Sequence, residues 1–202
     1  EVLEVLLHSL EEGRPLRHLE FSGSQARFVR ELALLTAKPV LYVANVEEGW
    51  DQDSSLLSWG EGEGPFSDAD SVVPLSLALE SELALLPEEE QREFLEALGQ
   101  EEPGTARVIR AAYHVLDLIT FFSTNEKQTT AWALPRGSTA PQAAGVIHSD
   151  FQKGFIRAET ISFQAFSGFG SMKAARDAGA IRSEGKDYVV SDGDILLFRF
   201  NV

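Results

Sequence analysis

The chain has 202 residues, with 44% apolar and 24% charged residues and no cysteine. Such a composition can bury a globular core, and it excludes disulfides and thiolate metal sites. No apolar run reaches the roughly 18 residues that a membrane-spanning helix needs, and the acidic start Glu1-Val2-Leu3-Glu4 lacks the basic region of a secretory signal. The formal net charge of −15 is unevenly spread: the segment from Ser123 onward carries nine basic and eight acidic residues, the first 122 residues eight and 24. That asymmetry places a boundary near Ser123. The acidic part repels nucleic-acid phosphates, whereas the near-neutral part can touch RNA only through a local patch. No DNA or membrane partner is expected, and a cytoplasmic location fits best.

In chain order, Leu3, Leu6, Leu7 and Leu10 recur at spacings of three and four, the face of an amphipathic helix that Gly13 and Pro15 stop. A second helix is expected over 24–35, with Phe28, Leu32 and Leu35 inward and Ser22 or Ser24 as its cap. Lys38-Pro39-Val40-Leu41-Tyr42-Val43-Ala44-Asn45 holds five consecutive apolar residues and reads as a buried parallel strand. The segment 54–64, with Trp59 inside it, reads as a short helix running into a loop. Ser71-Val72-Val73-Pro74-Leu75-Ser76 is a second short strand. Helices are expected over 79–86, over 87–98, where Pro87 suits a helix start, and over 105–118. Two strands joined by helices indicate α/β architecture.

From Phe121 the pattern changes. Strands are expected over 128–134 and 157–163. One helix is expected over 141–150, and another over 172–178 that Gly179 closes in the left-handed conformation. Residues 188–190 and 195–200 read as two strands of a hairpin turned by Ser191-Asp192-Gly193-Asp194. A small mixed sheet wrapping one main helix is a β-grasp, ubiquitin-like arrangement.

No P-loop motif Gly-x4-Gly-Lys-[Ser/Thr] is present. The nearest stretch, Gly179 to Gly185-Lys186, is one residue too long and puts Asp187 where a hydroxyl should bind magnesium, so it reads as a turn. His148, Ser149 and Asp150 are no triad, because sequence neighbours on a helix do not face one another. Asn45-Val46-Glu47-Glu48 directly follows the first strand, and ligands of doubly wound α/β proteins sit at the carboxyl ends of strands. An Asn there can read a purine through paired donor and acceptor groups. Ser76-Leu77-Ala78 follows the second strand, where its backbone could reach the same base. The structural alternative is an Asn that caps a helix. His148 and Trp132 read as packing residues, and Phe151, Phe155, Phe163 and Phe166 as core rather than a base-stacking platform. Lys153 and Arg157 flank Phe155 and offer a small basic-aromatic contact for RNA, with a solvated pair as the alternative.

The stretch from Leu35 to Val46 resembles the base-recognition strand of the YchF, or Obg-like ATPase, family. That family carries Asn-x-x-Glu, matched here by Asn45 and Glu48, where ordinary GTPases carry Asn-Lys-x-Asp, and its members prefer or accept ATP. Val46 replaces the usual Lys and would pack against the base. The run from Val73 to Glu80 resembles the fifth GTPase motif, with Leu77 and Ala78 as departures from the family's Ser-Ala-Lys. Ala131-Trp132, the run from Ala140 to His148, Asp150-Phe151, the run from Lys153 to Glu159, Glu184-Gly185-Lys186-Asp187-Tyr188 and the final Phe198-Arg199-Phe200-Asn201-Val202 resemble the family's TGS signature.

The resemblance implies the C-terminal part of a P-loop GTPase-like α/β domain with helical segments, followed by an α+β β-grasp TGS domain. The implied divisions are 1–34 for the return helices of a helical arm, 35–120 for the C-terminal half of the G domain, and 121–202 for the TGS domain. It implies a base site of Asn45, Val46, Glu48, Ser76 and Leu77, and ATP or GTP with Mg2+ in the complete protein, none of it tightly bound to this chain. The P-loop, switches and catalytic His would then lie upstream. The implied partner is the ribosome, or ribosomal RNA, through Lys153 and Arg157. The alternative is a stand-alone TGS module, a regulatory or RNA-binding unit of the kind that recurs in threonyl-tRNA synthetases and stringent-response synthetases, which would not need the Asn45 strand.

Overall fold

A computed structural model describes residues 1–47, 71–124 and 128–201. Two compact units divide at residue 115, Glu1–Val115 and Leu116–Val202. The short helix expected over 54–64, with Trp59, lies outside the described residues.

In the first unit, α1 (Val2–Glu11) and α2 (Gly23–Glu31) meet around Leu6, Leu16 and Val29, all buried. The inward face of α1 is not the expected leucine stripe. Leu6 and Ser9 are buried, while Leu3, Leu7 and Leu10 are exposed. Spacing fixes the period of a helix, but the phase is set by what it meets, and here only a narrow seam meets the turn around Leu16. Helix α2 ends earlier than 35, because Ala33 takes a left-handed φ of 51°. Phe28, Leu32 and Leu35, expected inward, are exposed instead, and Val29 carries the packing.

Strands β1 (Leu41–Asn45) and β2 (Ser71–Leu75) pair in parallel, with Asn45 opposite Leu75. Parallel pairing matches the expectation, but full burial of β1 does not. Val43 and Asn45, two apart and so on one face, are exposed. After β2 come α3 (Leu77–Leu83), α4 (Glu88–Ala97) and α5 (Gly104–Val115), with Pro87 just before α4. Helices α3 and α4 bury Leu79, Leu83 and Leu95 together. Helix α5 packs on β1 and β2. Its first residue sits close against β2: a Cβ on Gly104 would press on the Leu75 side chain, which would have to shift. The helix does not run to 118; Asp117 is left-handed at φ 50° and the chain turns extended.

The second unit comprises β3 (Leu118–Thr124), β4 (Thr129–Pro135), α6 (Ala140–Ile147), α7 (Ser149–Lys153), β5 (Phe155–Ser162), α8 (Phe163–Phe169), α9 (Met172–Asp177), β6 (Arg182–Glu184) and β7 (Asp194–Phe200). The sheet order is β4-β3-β7-β5-β6, with β3 and β7 parallel and the other neighbours antiparallel. One face buries Phe121, Leu134, Ala158, Leu196 and Phe198 with Ala140, Ala143 and Ala144 of α6. Three alanines let that helix lie close to the sheet. On the other face Ile161 and Ile195 pack with Ala175 of α9.

Three expectations change here. The helix expected over 141–150 breaks at His148, which is extended (φ −160°, ψ 138°) and caps α7 by accepting the Asp150 N–H at Nδ1, 3.2 Å. Residues 188–190 form no hairpin with β7. They pair with the approach to α6, through the Tyr188 carbonyl accepting from Ala140 N–H (2.8 Å) and the Ser138 carbonyl accepting from Val190 N–H (3.0 Å). Asp194 enforces this path, its Oδ2 accepting from Tyr188 Oη (2.7 Å) and Ser191 N–H (2.9 Å). Finally, Phe163 opens α8 and is exposed rather than ending a strand in the core.

Candidate functional site

At the carboxyl ends of β1 and β2 lies a concavity of about 400 Å³ lined by Asn45, Val46, Glu47, Ser76, Ala78, Leu79 and Glu82. That volume falls within the roughly 300–1,000 Å³ range of small-molecule sites. Parallel pairing brings the two strand ends side by side, so residues some thirty apart in sequence share one rim.

Asn45 is the exposed last residue of β1. Its Oδ1 accepts the backbone N–H of Leu77 at 3.2 Å. This differs from a free Asn offering a paired donor and acceptor: the carbonyl is engaged by the chain, which orients the carboxamide and leaves the NH2 group as the donor. Purines of both kinds present an N7 acceptor, so such a donor can hold a purine without choosing between adenine and guanine.

The other expected residues take distinct places. Val46 lines the concavity, and its N–H donates to the Leu75 carbonyl at 3.1 Å, extending the strand pairing. Ser76 also lines it but is 3% exposed, and its Oγ caps α3 by accepting from Leu79 N–H at 3.4 Å. Leu77 does not line the concavity; its contribution is the N–H that holds Asn45. Glu48 lies outside the described residues. Glu47 and Glu82 on the rim give it a negative edge, suited to base amino groups rather than to phosphates.

Glu80 is a residue that sequence reasoning missed. Its carboxylate accepts the N–H groups of Gly104 (Oε1, 2.8 Å) and Thr105 (Oε2, 3.0 Å), capping α5 from α3. A negative charge at a helix N-terminus satisfies free donors and opposes the helix dipole. The rim residues of α3 are thereby tied to the helix beneath the strands. The sequence signal was a Glu four residues after the strand-end Ser.

In the second unit Lys153 and Arg157 are both exposed and have different partners. Lys153 lies 3.8 Å from Asp150, and Arg157 lies 3.9 Å from Glu159. Phe155, expected to stand between them as an aromatic contact, is 5% exposed and packs edge-on against Phe198 in the core. It has no face for a base. Arg157 instead joins a cluster in which Glu159 also bonds Arg176 (2.8 Å) and Arg199 (3.1 Å). Burial of Glu159 would raise its carboxyl, but the hydrogen bonds and charges of Arg199 and Arg176 outweigh that and hold it below the usual carboxylate range.

Among the described residues no group of three or more His, Asp or Glu side chains could hold a metal ion, and no helix is long and apolar enough to cross a membrane.

Residues 118–201 match the family model YchF-GTPase_C, described as a protein of unknown function (DUF933). Over the whole chain there is 47% identity to the ribosome-binding ATPase YchF of Escherichia coli O157:H7 and 42% to that of Bacillus subtilis, covering 55% and 56% of those proteins. The chain thus spans about half the length of the curated relatives it matches. Its fold matches the structure of the Schizosaccharomyces pombe YchF GTPase with a TM-score of 0.84 and 32% identity, over 98% of this chain and 53% of that one. A GTP-binding protein from Pyrococcus horikoshii, 20% identical with a TM-score of 0.54 over 99% of this chain and 56% of its own, shares the fold.

Proposed function

We propose that this chain, similar over its length to about half of each YchF relative it matches and matching the family's C-terminal model over residues 118–201, forms part of a ribosome-associated, cytoplasmic protein that binds and hydrolyses ATP, with GTP as a second substrate, when complete. Its share of the nucleotide site is the base pocket, and its second unit is a β-grasp TGS domain that faces the ribosome. The observation that carries the nucleotide reading is the Asn45 carboxamide, fixed by Leu77 N–H at the lip of a concavity at the carboxyl ends of parallel strands.

The carboxamide NH2 donates to purine N7, Val46 offers an apolar wall, and Ser76 shapes the rim by capping α3. Glu48, which with Asn45 completes the Asn-x-x-Glu motif, takes part in selecting the base. Discrimination between adenine and guanine rests on that residue, since Asn45 contacts an atom common to both. Mg2+ arrives with the nucleotide and offsets phosphate charge. The described residues supply no ligand cluster for it and the sequence supplies no P-loop, so phosphate positioning, the main source of catalysis in phosphoryl transfer, is not this chain's share. A stand-alone regulatory module would need Asn45 only as the partner of the first N–H of α3, and would leave the concavity beside it without a ligand.

Titration of the chain with Mg-ATP and with Mg-GTP, followed by amide NMR, tests this. Shifts are expected at the Asn45 side-chain NH2, Val46 and the backbone of residues 76–79. Asn45→Ala should weaken the interaction by about 1 kcal/mol, the worth of one hydrogen bond. Unmoved resonances at millimolar nucleotide would remove the base-site assignment. Mg-dependent turnover by the pure chain would overturn the divided site.

A further inference from the structure

We propose that the arginine cluster around Glu159, rather than the Lys153–Arg157 pair, is the surface of the second unit that grips RNA, through its phosphodiester backbone. This rests on the reading of a ribosome-facing second unit and deepens it by naming the residues and the ligand chemistry.

The placement follows from the sheet. Arg157 and Glu159 alternate with Ala158, which is buried under α6, so they point to the opposite face. Arg199 stands directly across from Arg157 in the β5–β7 register and shares that face. Helix α9 covers one end of the face, where Ala175 packs on Ile161 and Ile195, and sends Arg176 toward the open end. Three guanidinium groups therefore converge on one carboxylate. The arginines are 55%, 55% and 49% exposed, while Glu159 is 14% exposed. The cluster keeps two net positive charges on a unit that has nine basic and nine acidic residues in all.

Like charges placed directly opposite on paired strands are destabilising. The half-hidden Glu159 offsets that repulsion and fixes the direction of each guanidinium, leaving the outward N–H groups free of carboxylate. A planar fork of donors matches a phosphate better than an ammonium does. Its half-exposed guanidinium groups stand on an open sheet face, so the cluster suits a repeating backbone of anions rather than a particular base. Lys153 lies against Asp150 on α7, away from this brace.

The test measures binding of a short fluorescein-labelled RNA hairpin to the full chain by anisotropy across a salt series, alongside co-sedimentation with purified ribosomes. Arg176→Gln and Arg199→Gln should each weaken hairpin binding about five- to tenfold, and each should flatten the log–log salt dependence by about 0.7, the loss of one phosphate contact. Arg136→Gln, whose ion pair with Asp117 lies elsewhere in the unit, should bind as wild type. Thermal melts report on folding, and Arg199→Lys, which keeps the charge, should retain most of the salt dependence. Unchanged affinity and slope in both glutamine variants would overturn the proposal, as would displacement of the hairpin by polyglutamate as readily as by unlabelled RNA. If Lys153→Glu abolishes binding while the arginine variants do not, the ribosome-facing reading stands and the cluster is wrong. If the hairpin binds through the arginines but wild type does not sediment with ribosomes, the cluster stands and that reading falls.

Discussion

Tyr188 illustrates how one side chain can set the path of a loop. Burial, the hydrogen bond to Asp194 and the charge of that carboxylate together push its phenol up to about 12, against an opposing contribution from Arg182. The protonated phenol is therefore favoured more by the folded chain than by the unfolded one. Its stabilising contribution is present in full below the ordinary tyrosine value of about 10 and is lost as pH rises from there through about 12. Melting temperature should accordingly fall over that window in the wild type. In Tyr188→Phe it should start lower and fall less steeply, which circular dichroism melts at a series of alkaline pH values would check.

At the scale of elements, the bond from Glu80 to the start of α5 joins two helices that flank the strand ends. Glu80→Ala leaves the Gly104 and Thr105 N–H groups without their carboxylate, and loss of a cap costs about 1 kcal/mol. A lowered urea midpoint and faster hydrogen exchange at residues 104–107 are the expected outcome; unaltered exchange there would deny Glu80 that role. The sequence reached both strands of the first unit and most helices, because β-branched runs and Gly or Pro punctuation act locally. It did not reach β3, whose Leu118 to Phe122 run reads equally well as the tail of α5. Nor did it reach α8, where Phe163 continues the apolar pattern of β5 although Ser162 caps a new helix by accepting from Ala165 N–H at 3.3 Å. The false hairpin at 188–194 has the same origin: turn chemistry was legible, but the partner of the strand before it was decided by Asp194 in three dimensions. In the candidate site, Asn45 and Ser76 were visible from their positions after strands. That Asn45's oxygen was already engaged could not be read from a sequence, because its partner is a backbone N–H thirty-two residues away.

Across the whole molecule, charge and packing divide together. The unit Glu1–Val115 has eight basic and 23 acidic residues and two modest clusters around Leu6 and Leu79. The unit Leu116–Val202 is formally neutral and holds an aromatic core in which Phe121 and Phe155 each meet Phe198 edge to face. Separate cores permit separate transitions. Calorimetry should show the acidic unit's transition moving upward as salt screens its self-repulsion, with little movement in the other. A fragment of residues 116–202 should reproduce the second transition by itself. One salt-insensitive transition for the whole chain would show the two units unfolding as one.

The anchor of Asn45 is a main-chain group, and that frees position 77 from chemical selection. Any residue except proline presents the same N–H there, so the side chain at position 77 can change without disturbing the carboxamide. Drift at this position carries no message about ligand preference, whereas a proline would announce that the site had been abandoned.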